Sequence, residues 1–262
     1  MKDTSIAPKT HPRIDSIEET TDTLTSRAGL ALFARYLDSI GLSWFVERWF
    51  GPIRKSGKGV SAVECLRQVI LFMADGTSRH LSHFDRLKAD EGYAATVERR
   101  PAGLVSSHSV KRFFGAISWA RMWLLRRLLQ ELFLWRLNIE KPSLVILDVD
   151  AMVMDNDEAE KRQGVRPTYK RVKGFRQNTA FYYVALLAFA LYESFKADVA
   201  DPVLPRTVYP TTFRRRFLDV AGKIVRHAGR IVLKVTRAAM DGLKLAEVWQ
   251  RCLSPPRIPT PV

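Results

Sequence analysis

Acidic residues are scarce in this chain. Across 262 residues, 27 Asp and Glu stand against 42 Lys and Arg, a formal net charge of +15. Such a surplus favours a polyanionic partner, either nucleic acid or an anionic membrane surface. Cysteine is almost absent too. Cys65 and Cys252 lie far apart and give neither a disulfide framework nor a zinc-ligand spacing. No apolar run reaches the ~20 residues of a membrane-spanning helix. The longest, Phe181 to Tyr192, follows polar Gln177 and Asn178 and runs into Glu193 and Lys196. Membrane is therefore the weaker partner, and no membrane association is expected. A secretory signal is lacking as well, since Met1 to Thr25 is polar and carries Asp15, Glu18, Glu19 and Asp22. The expected location is the cytoplasm, in association with the nucleoid.

What is present is chiefly helical patterning. Residues 1–23 lack apolar periodicity and are expected to form a flexible leader. Leu30, Phe33, Ala34, Leu37 and Ile40 then recur at helical spacing, and Gly41 ends the run. Trp44 to Phe50 predicts a short second helix, followed by a basic loop with Arg54, Lys55 and Lys58. Ser61 with Glu64 three residues on has the form of a capping box, and Val63 to Met73 continues as a helix. His80 to Val97 predicts two small helices broken near Gly92. His80 and His83 could meet on one face, but without a third ligand they are expected to be surface histidines.

A long amphipathic helix is expected from Val110 to Trp135, its buried stripe including Ala120, Leu124, Leu128 and Leu132. Lys111 and Arg112 flank that stripe. Together with the helices before it, this unit fits a helix-turn-helix-like DNA-binding domain or, equally, a plain bundle with a solvated basic face. Further on, Arg214, Arg215 and Arg216 sit on a predicted helix over 213–220. Lys223 to Arg226 and Ile231 to Val235 predict a hairpin around His227-Ala228-Gly229-Arg230. From Arg206 to Arg237 the only acid is Asp219, which makes this the densest basic segment. A short helix to Trp249 and a proline-rich tail expected to be disordered over 253–262 complete the chain.

One stretch inverts the general charge. Leu144-Val145-Ile146-Leu147 predicts a buried strand that enters Asp148-Val149-Asp150 and then Asp155, Asp157 and Glu158. Asp148 and Asp150 are two apart, so on a strand both carboxylates share a face. Paired carboxylates there call for a cation or suit a divalent metal with hard oxygen ligands. The bland alternative is a strand end capped by solvated acids. Thr168 to Phe175 predicts a second strand.

Several stretches together resemble bacterial insertion-sequence transposases of the DDE type, with an RNase H-like catalytic core; the likeness is to the family numbered thirteen-eighty. They are Leu147-Asp148-Val149-Asp150, Val153 to Arg162, Pro167 to Phe175, Asn178-Thr179-Ala180-Phe181-Tyr182-Tyr183, Thr211 to Arg216, Ala221 to Arg226 and, near the start, Ser107 to Phe113. The resemblance spans roughly residues 25–250. It implies two Mg²⁺ ions held by three carboxylates, activating water or a 3′-hydroxyl for attack on phosphodiesters at transposon ends. It implies Asp150 as first acid and metal ligand, with Asp148 as the alternative. It also implies DNA of terminal inverted repeats as partner, contacted by Lys111, Arg112, Arg214, Arg215, Arg216, Lys223, Arg226, Arg230 and Lys234, and association with intact transposase or with itself.

The chain departs from that family in its middle. There, a substantial section carrying the second aspartate and the glutamate separates the Lys-Gly-Phe stretch from the Asn-x-Ala-Phe-Tyr stretch. Here only Arg176-Gln177 stand between Phe175 and Asn178, and neither Glu193 nor Glu247 has a matching context. Mg²⁺ binding is expected to be weak or absent. The apolar helix 181–195 is expected to have lost the core it packs against. The expected fold is mainly α with a small β element. It comprises an N-terminal helical DNA-binding-like domain (24–140), a truncated RNase H-like core (141–176) and C-terminal helices with a hairpin (177–252). Three readings follow: a DNA-binding transposase remnant without strand-transfer activity, a non-enzymatic DNA-binding regulator of transposition, and an active metal-dependent nuclease.

Overall fold

A computed structural model describes residues 16–50, 59–78, 80–145 and 175–259. Within them the protein is mainly helical, with one three-stranded antiparallel sheet, as the patterning predicts. Strand β1 (Thr23–Thr25) already belongs to that sheet, so ordered structure begins inside the segment expected to be a leader. Helices α1 (Ala28–Ser39) and α2 (Leu42–Phe50) follow, divided at Gly41 with its φ of +81°. Helix α3 (Ala62–Asp75) begins as its sequence predicts, Ser61 Oγ accepting from the Glu64 amide at 3.1 Å. The Glu64 carboxylate does not return to the cap. It binds Arg99 at 2.9 and 2.8 Å and accepts from Gln68.

Helices α4 (His83–Ala89) and α5 (Glu91–Thr96) break at Asp90 rather than Gly92. The reason is a cap: Asp90 Oδ1 accepts from the Tyr93 amide at 2.8 Å. The single long helix expected over 110–135 is two, α6 (Ser107–Ala116) and α7 (Trp119–Glu140). Ile117 is extended, and Ser118 Oγ accepts from the Arg121 amide to start α7 afresh. That restart moves the buried stripe. Met122, Leu125, Leu128, Leu132 and Trp135 are buried, while Ala120 is exposed and Leu124 only half-buried.

Helix α8 (Phe175–Phe195) corrects the expectation of an orphaned apolar helix. It packs on α7 and α3, with further contacts to α1 and α6. Ala180, Val184, Leu187, Leu191 and Phe195 are buried there, so neighbouring helices supply the burial that a sheet was expected to give. A π-helical turn (Lys196–Ala200) extends α8. Helix α9 (Pro210–Phe213) runs into a second such turn (Arg214–Leu218). Phe33, Phe195, Phe213 and Phe217 meet in one aromatic cluster, with centroids 5.2 Å apart for Phe33 and Phe195 and 5.0 Å for Phe213 and Phe217.

Strands β2 (Gly222–His227) and β3 (Arg230–Val235) form the predicted hairpin. Its two-residue turn, Ala228 and Gly229, has φ of +48° and +76°, the signs that a twisted ribbon needs. β1 pairs with the side of β2 away from β3, so the sheet joins residues 23–25 to residues 222–224. Helices α10 (Arg237–Gly242) and α11 (Leu245–Leu253) follow, α11 lying on α1. Of the tail expected to be disordered over 253–262, Leu253 ends α11 and residues 254–259 are packed against the helices through Pro255 and Ile258, both buried. Ile258 donates its amide to the Ile40 carbonyl at 3.0 Å, and Trp135 Nε1 donates to the Arg257 carbonyl. No helix among the described residues is long and apolar enough to cross a membrane.

Candidate nucleic-acid interface

Asp148 and Asp150, and with them the acid cluster and residues 168–174 of the second predicted strand, lie outside the described residues, while Phe175, its last predicted residue, instead opens α8. Leu144 and Val145, at the start of the first predicted strand, are exposed and in no sheet. Among the described residues, no group of three His, Cys, Asp or Glu is placed to hold a metal. The two later acids are in ion pairs. Glu193 holds the buried Lys196 ammonium at 3.0 Å, and Glu247 pairs with Arg251 at 3.2 Å. His80 is exposed and His83 stands beside Phe72, so the pair is not drawn onto a shared ligand.

The cationic candidates fall into three places. On α6, Ser106 caps the first turn, and Val110, Phe113 and Phe114 turn inward at helical spacing. That leaves His108, Lys111 and Arg112 exposed on the opposite face. The positive end of α6 is closed by Asp85 of α4, which accepts from the Ser107 amide at 2.9 Å and its hydroxyl at 2.6 Å. Those hydrogen bonds, with Lys111 and Lys88 nearby, hold the Asp85 carboxyl below the usual range. The amide end of α6 is therefore already occupied by a carboxylate, and the exposed cations of this helix, Lys111 and Arg112, stand in its middle.

In the second π-helical turn the three arginines divide. Arg214 Nη1 donates to the Gly76 carbonyl at 2.9 Å and its Nε lies 3.8 Å from Asp219, so this side chain is held against the end of α3. Arg215 and Arg216 are exposed and make no ion pair with a described residue. In the hairpin, cross-strand register places Lys223 opposite Lys234, Val225 opposite Val232 and His227 opposite Arg230 on one face. Arg226 lies opposite Ile231 on the other face. Lys223 is bound to Asp22 at 2.8 Å, which lowers the Asp22 carboxyl; Lys234, Arg226 and Arg230 have no such partner among the described residues. A cavity of about 470 Å³ beside the strands is lined by Asp22, Glu91, Lys223, Arg226 and Lys234. Its mixed charge makes it a poorer anion site than the open ribbon face.

A further feature was not foreseen from the sequence. Trp44, Trp119 and Trp123 are each about half exposed, and Trp49 meets Trp123 edge-on at 6.5 Å where α2 packs on α7. The Arg48 guanidinium lies over the Trp49 ring at 5.5 Å. The signal was available: Trp119 and Trp123 are four apart and lie off the apolar stripe. The unforeseen restart at Ser118 hid it. Farther along α7, an open groove of about 740 Å³ separates it from α8, with Leu132 and Leu191 buried in it and Arg126 and Arg206 exposed at its edge.

No family model, no curated protein and no solved structure matches this chain.

Proposed function

We propose that this chain is an internally shortened DDE-type insertion-sequence transposase that binds DNA and does not cut it. The observation that carries the reading is the set of exposed cations on α6, the second π-helical turn and the hairpin that have no carboxylate partner among the described residues. In a chain of net charge +15, such groups cost least when they face a polyanion. Beyond Ile224, where β1 ends, the hairpin continues as a two-stranded antiparallel ribbon, which is narrow enough for the major groove of duplex DNA. The motif resemblance supports the choice of transposon ends as that DNA.

Inactivity follows from the ligand count. Two-metal phosphoryl transfer draws carboxylates from separate elements. Asp150 matches the first, while Glu193 and Glu247 are occupied by Lys196 and Arg251. Asp155, Asp157 and Glu158 are sequence neighbours of Asp150 and so are poor substitutes for ligands from elsewhere. Mg²⁺ would meet Asp150 without the preorganised oxygens it requires.

The test is binding to duplex DNA that carries terminal inverted repeats, titrated against salt. Each phosphate neutralised should contribute about −0.9 to the slope of log K against log salt. Replacing both Arg230 and Lys234 with Glu should weaken binding and flatten that slope. No binding at low salt sinks the DNA reading. Mg²⁺-dependent nicking that disappears in Asp150→Ala sinks the claim of inactivity.

A further inference from the structure

The two faces of the hairpin differ in kind. Side chains alternate along a strand, and residues directly opposite one another share a face. On one face Gly222, Ile224 and Leu233 turn to the body. Ile224 is 7% exposed, and a Cβ on Gly222 would come within 3.1 Å of the Ala28 Cβ of α1. The other face therefore turns away from the helices. It carries three cross-strand pairs in order, Lys223 with Lys234, Val225 with Val232 and His227 with Arg230. All six are exposed except Val225, which is half-buried.

Valines at the centre of this basic face call for a reason. Val232 is 41% exposed, so it contributes little to the core. It adds nothing to phosphate binding either, for which a cation in its place would serve better. Phosphate contacts position a protein on DNA, whereas contacts to base edges choose the sequence. Among base edges in the major groove, the 5-methyl of thymine is the apolar group that a valine can meet. Arg230 stands one pair farther out, exposed and without a carboxylate partner among the described residues. Its planar fork matches the O6 and N7 acceptors of guanine. At the other end Lys223 is bound to Asp22, which leaves Lys234 as the unpaired cation of that pair among the described residues.

We propose that this face reads sequence in the major groove, with Arg230 on a guanine, Val232 (backed by Val225) on a thymine methyl, and Lys234 on a phosphate. The inference rests on the reading of the chain as a DNA-binding protein and adds which residues choose the sequence. The dimensions agree with it. Strands ~4.8 Å apart fit a groove ~12 Å wide, whereas the minor groove, ~6 Å wide, is too narrow and displays no methyl. β1 pairs only as far as Ile224, so the ribbon is two strands wide from Val225 to Val232. Successive outward residues of one strand are about 7 Å apart, close to two base steps of ~3.4 Å. With the strands lying along the groove, the guanine and the thymine are therefore about two steps apart.

The experiment selects duplexes for the full chain from a randomised pool, then measures binding to the best of them. A guanine and a thymine about two steps apart should be preferred. Replacing that thymine with deoxyuridine removes only the methyl and should weaken binding about fourfold. Replacing that guanine with 7-deazaguanine removes the N7 acceptor and should weaken binding roughly fivefold or more. Val232→Ala should be nearly indifferent to the first change and Arg230→Ala to the second, each keeping the other preference. Lys234→Ala should instead weaken binding to all sequences alike and reduce the salt slope by about 0.9. All three side chains are exposed, so circular dichroism should not change. Duplex binding without base preference overturns the inference and leaves the duplex reading in place. So do preferences that Arg230→Ala and Val232→Ala leave intact, and so does an equal loss on every sequence in those two variants. Failure to bind any duplex removes the DNA reading and this inference together.

Discussion

Arg67 shows what a single side chain contributes to this fold. Its guanidinium, 1% exposed, holds Asp38 in a fork of 2.8 and 2.9 Å and also reaches the carbonyls of Ala34 and Val97 at 3.3 Å. It therefore ties α1 and the end of α5 to α3. Arg67→Met would remove the partner of the Asp38 carboxylate and a donor to the buried Val97 carbonyl, and should cost about 3 kcal/mol in urea unfolding. Arg67→Lys should not rescue it, because an ammonium cannot reproduce the fork. A loss below about 1 kcal/mol for Arg67→Met would contradict this account. Cys252 gives a prediction in pH. Burial pushes its thiol from 9.0 up to about 12, and burial also raises Tyr36, Tyr93 and Tyr192 above their ordinary 10.0. Below pH 9 the thiol is neutral in both folded and unfolded chains, so it adds no slope. Between pH 9 and 12 the unfolded thiol ionises while the folded one does not, and stability falls as pH rises. Thermal midpoints of the wild type should start to fall near pH 9. In Cys252→Ala, which is less stable throughout, that fall should start nearer pH 10, where the tyrosines take over. Identical alkaline limbs in the two proteins would sink the assignment.

Among the elements, close approach is the sharpest constraint. Gly92, inside α5, faces β1 so closely that a Cβ there would overlap the Leu24 carbonyl oxygen. Gly92→Ala should therefore cost about 3 kcal/mol or more and release β1 from the helices. Hydrogen exchange should find the amides that join β1 to β2 unprotected. Gly115→Ala is the control, since a Cβ on that exposed helical position meets nothing; it should be neutral or stabilise by up to about 1 kcal/mol. Equal effects of the two changes would remove the packing argument. The same contrast explains what was legible in the sequence. Ser61 as a cap, the hairpin turn at Ala228-Gly229 and the periodicity of α1 and α3 depend on local chemistry, and the sequence carried them. The break at Ser118 was missed because Ile117 continues an apolar pattern across it, which masks the serine cap that restarts the helix. Burial of α8 was missed because its partners, α3 and α7, are remote in sequence. Among the site residues, Lys111, Arg112, Arg230 and Lys234 are exposed as their basic context implied. Arg214 is not free, because the Gly76 carbonyl that holds it is 138 residues away.

At the scale of the whole molecule, remote segments of the described chain interlock. β1 pairs with β2, α1 lies on α11, and α8 crosses α3 and α7. Asp198, beyond α8, accepts from Tyr36 of α1 at 2.7 Å and from Arg136 of α7 at 2.8 Å. The tail closes the same set, with Ile258 on Ile40 and Trp135 on Arg257. Elements so shared cannot unfold separately without exposing the surface they bury together. Unfolding in urea should thus be one transition, with tryptophan fluorescence and far-ultraviolet circular dichroism coincident. Deleting residues 254–262 removes the burial of Ile258 and the acceptor for the Trp135 indole. About 2 kcal/mol for the side chain and about 1 for the hydrogen bond give an expected loss of about 3 kcal/mol. That loss should move the single transition to lower urea without splitting it. Two separated transitions in the full chain, or a truncation that affects only one probe, would show that the N-terminal helices and the C-terminal region are held less firmly than these contacts require.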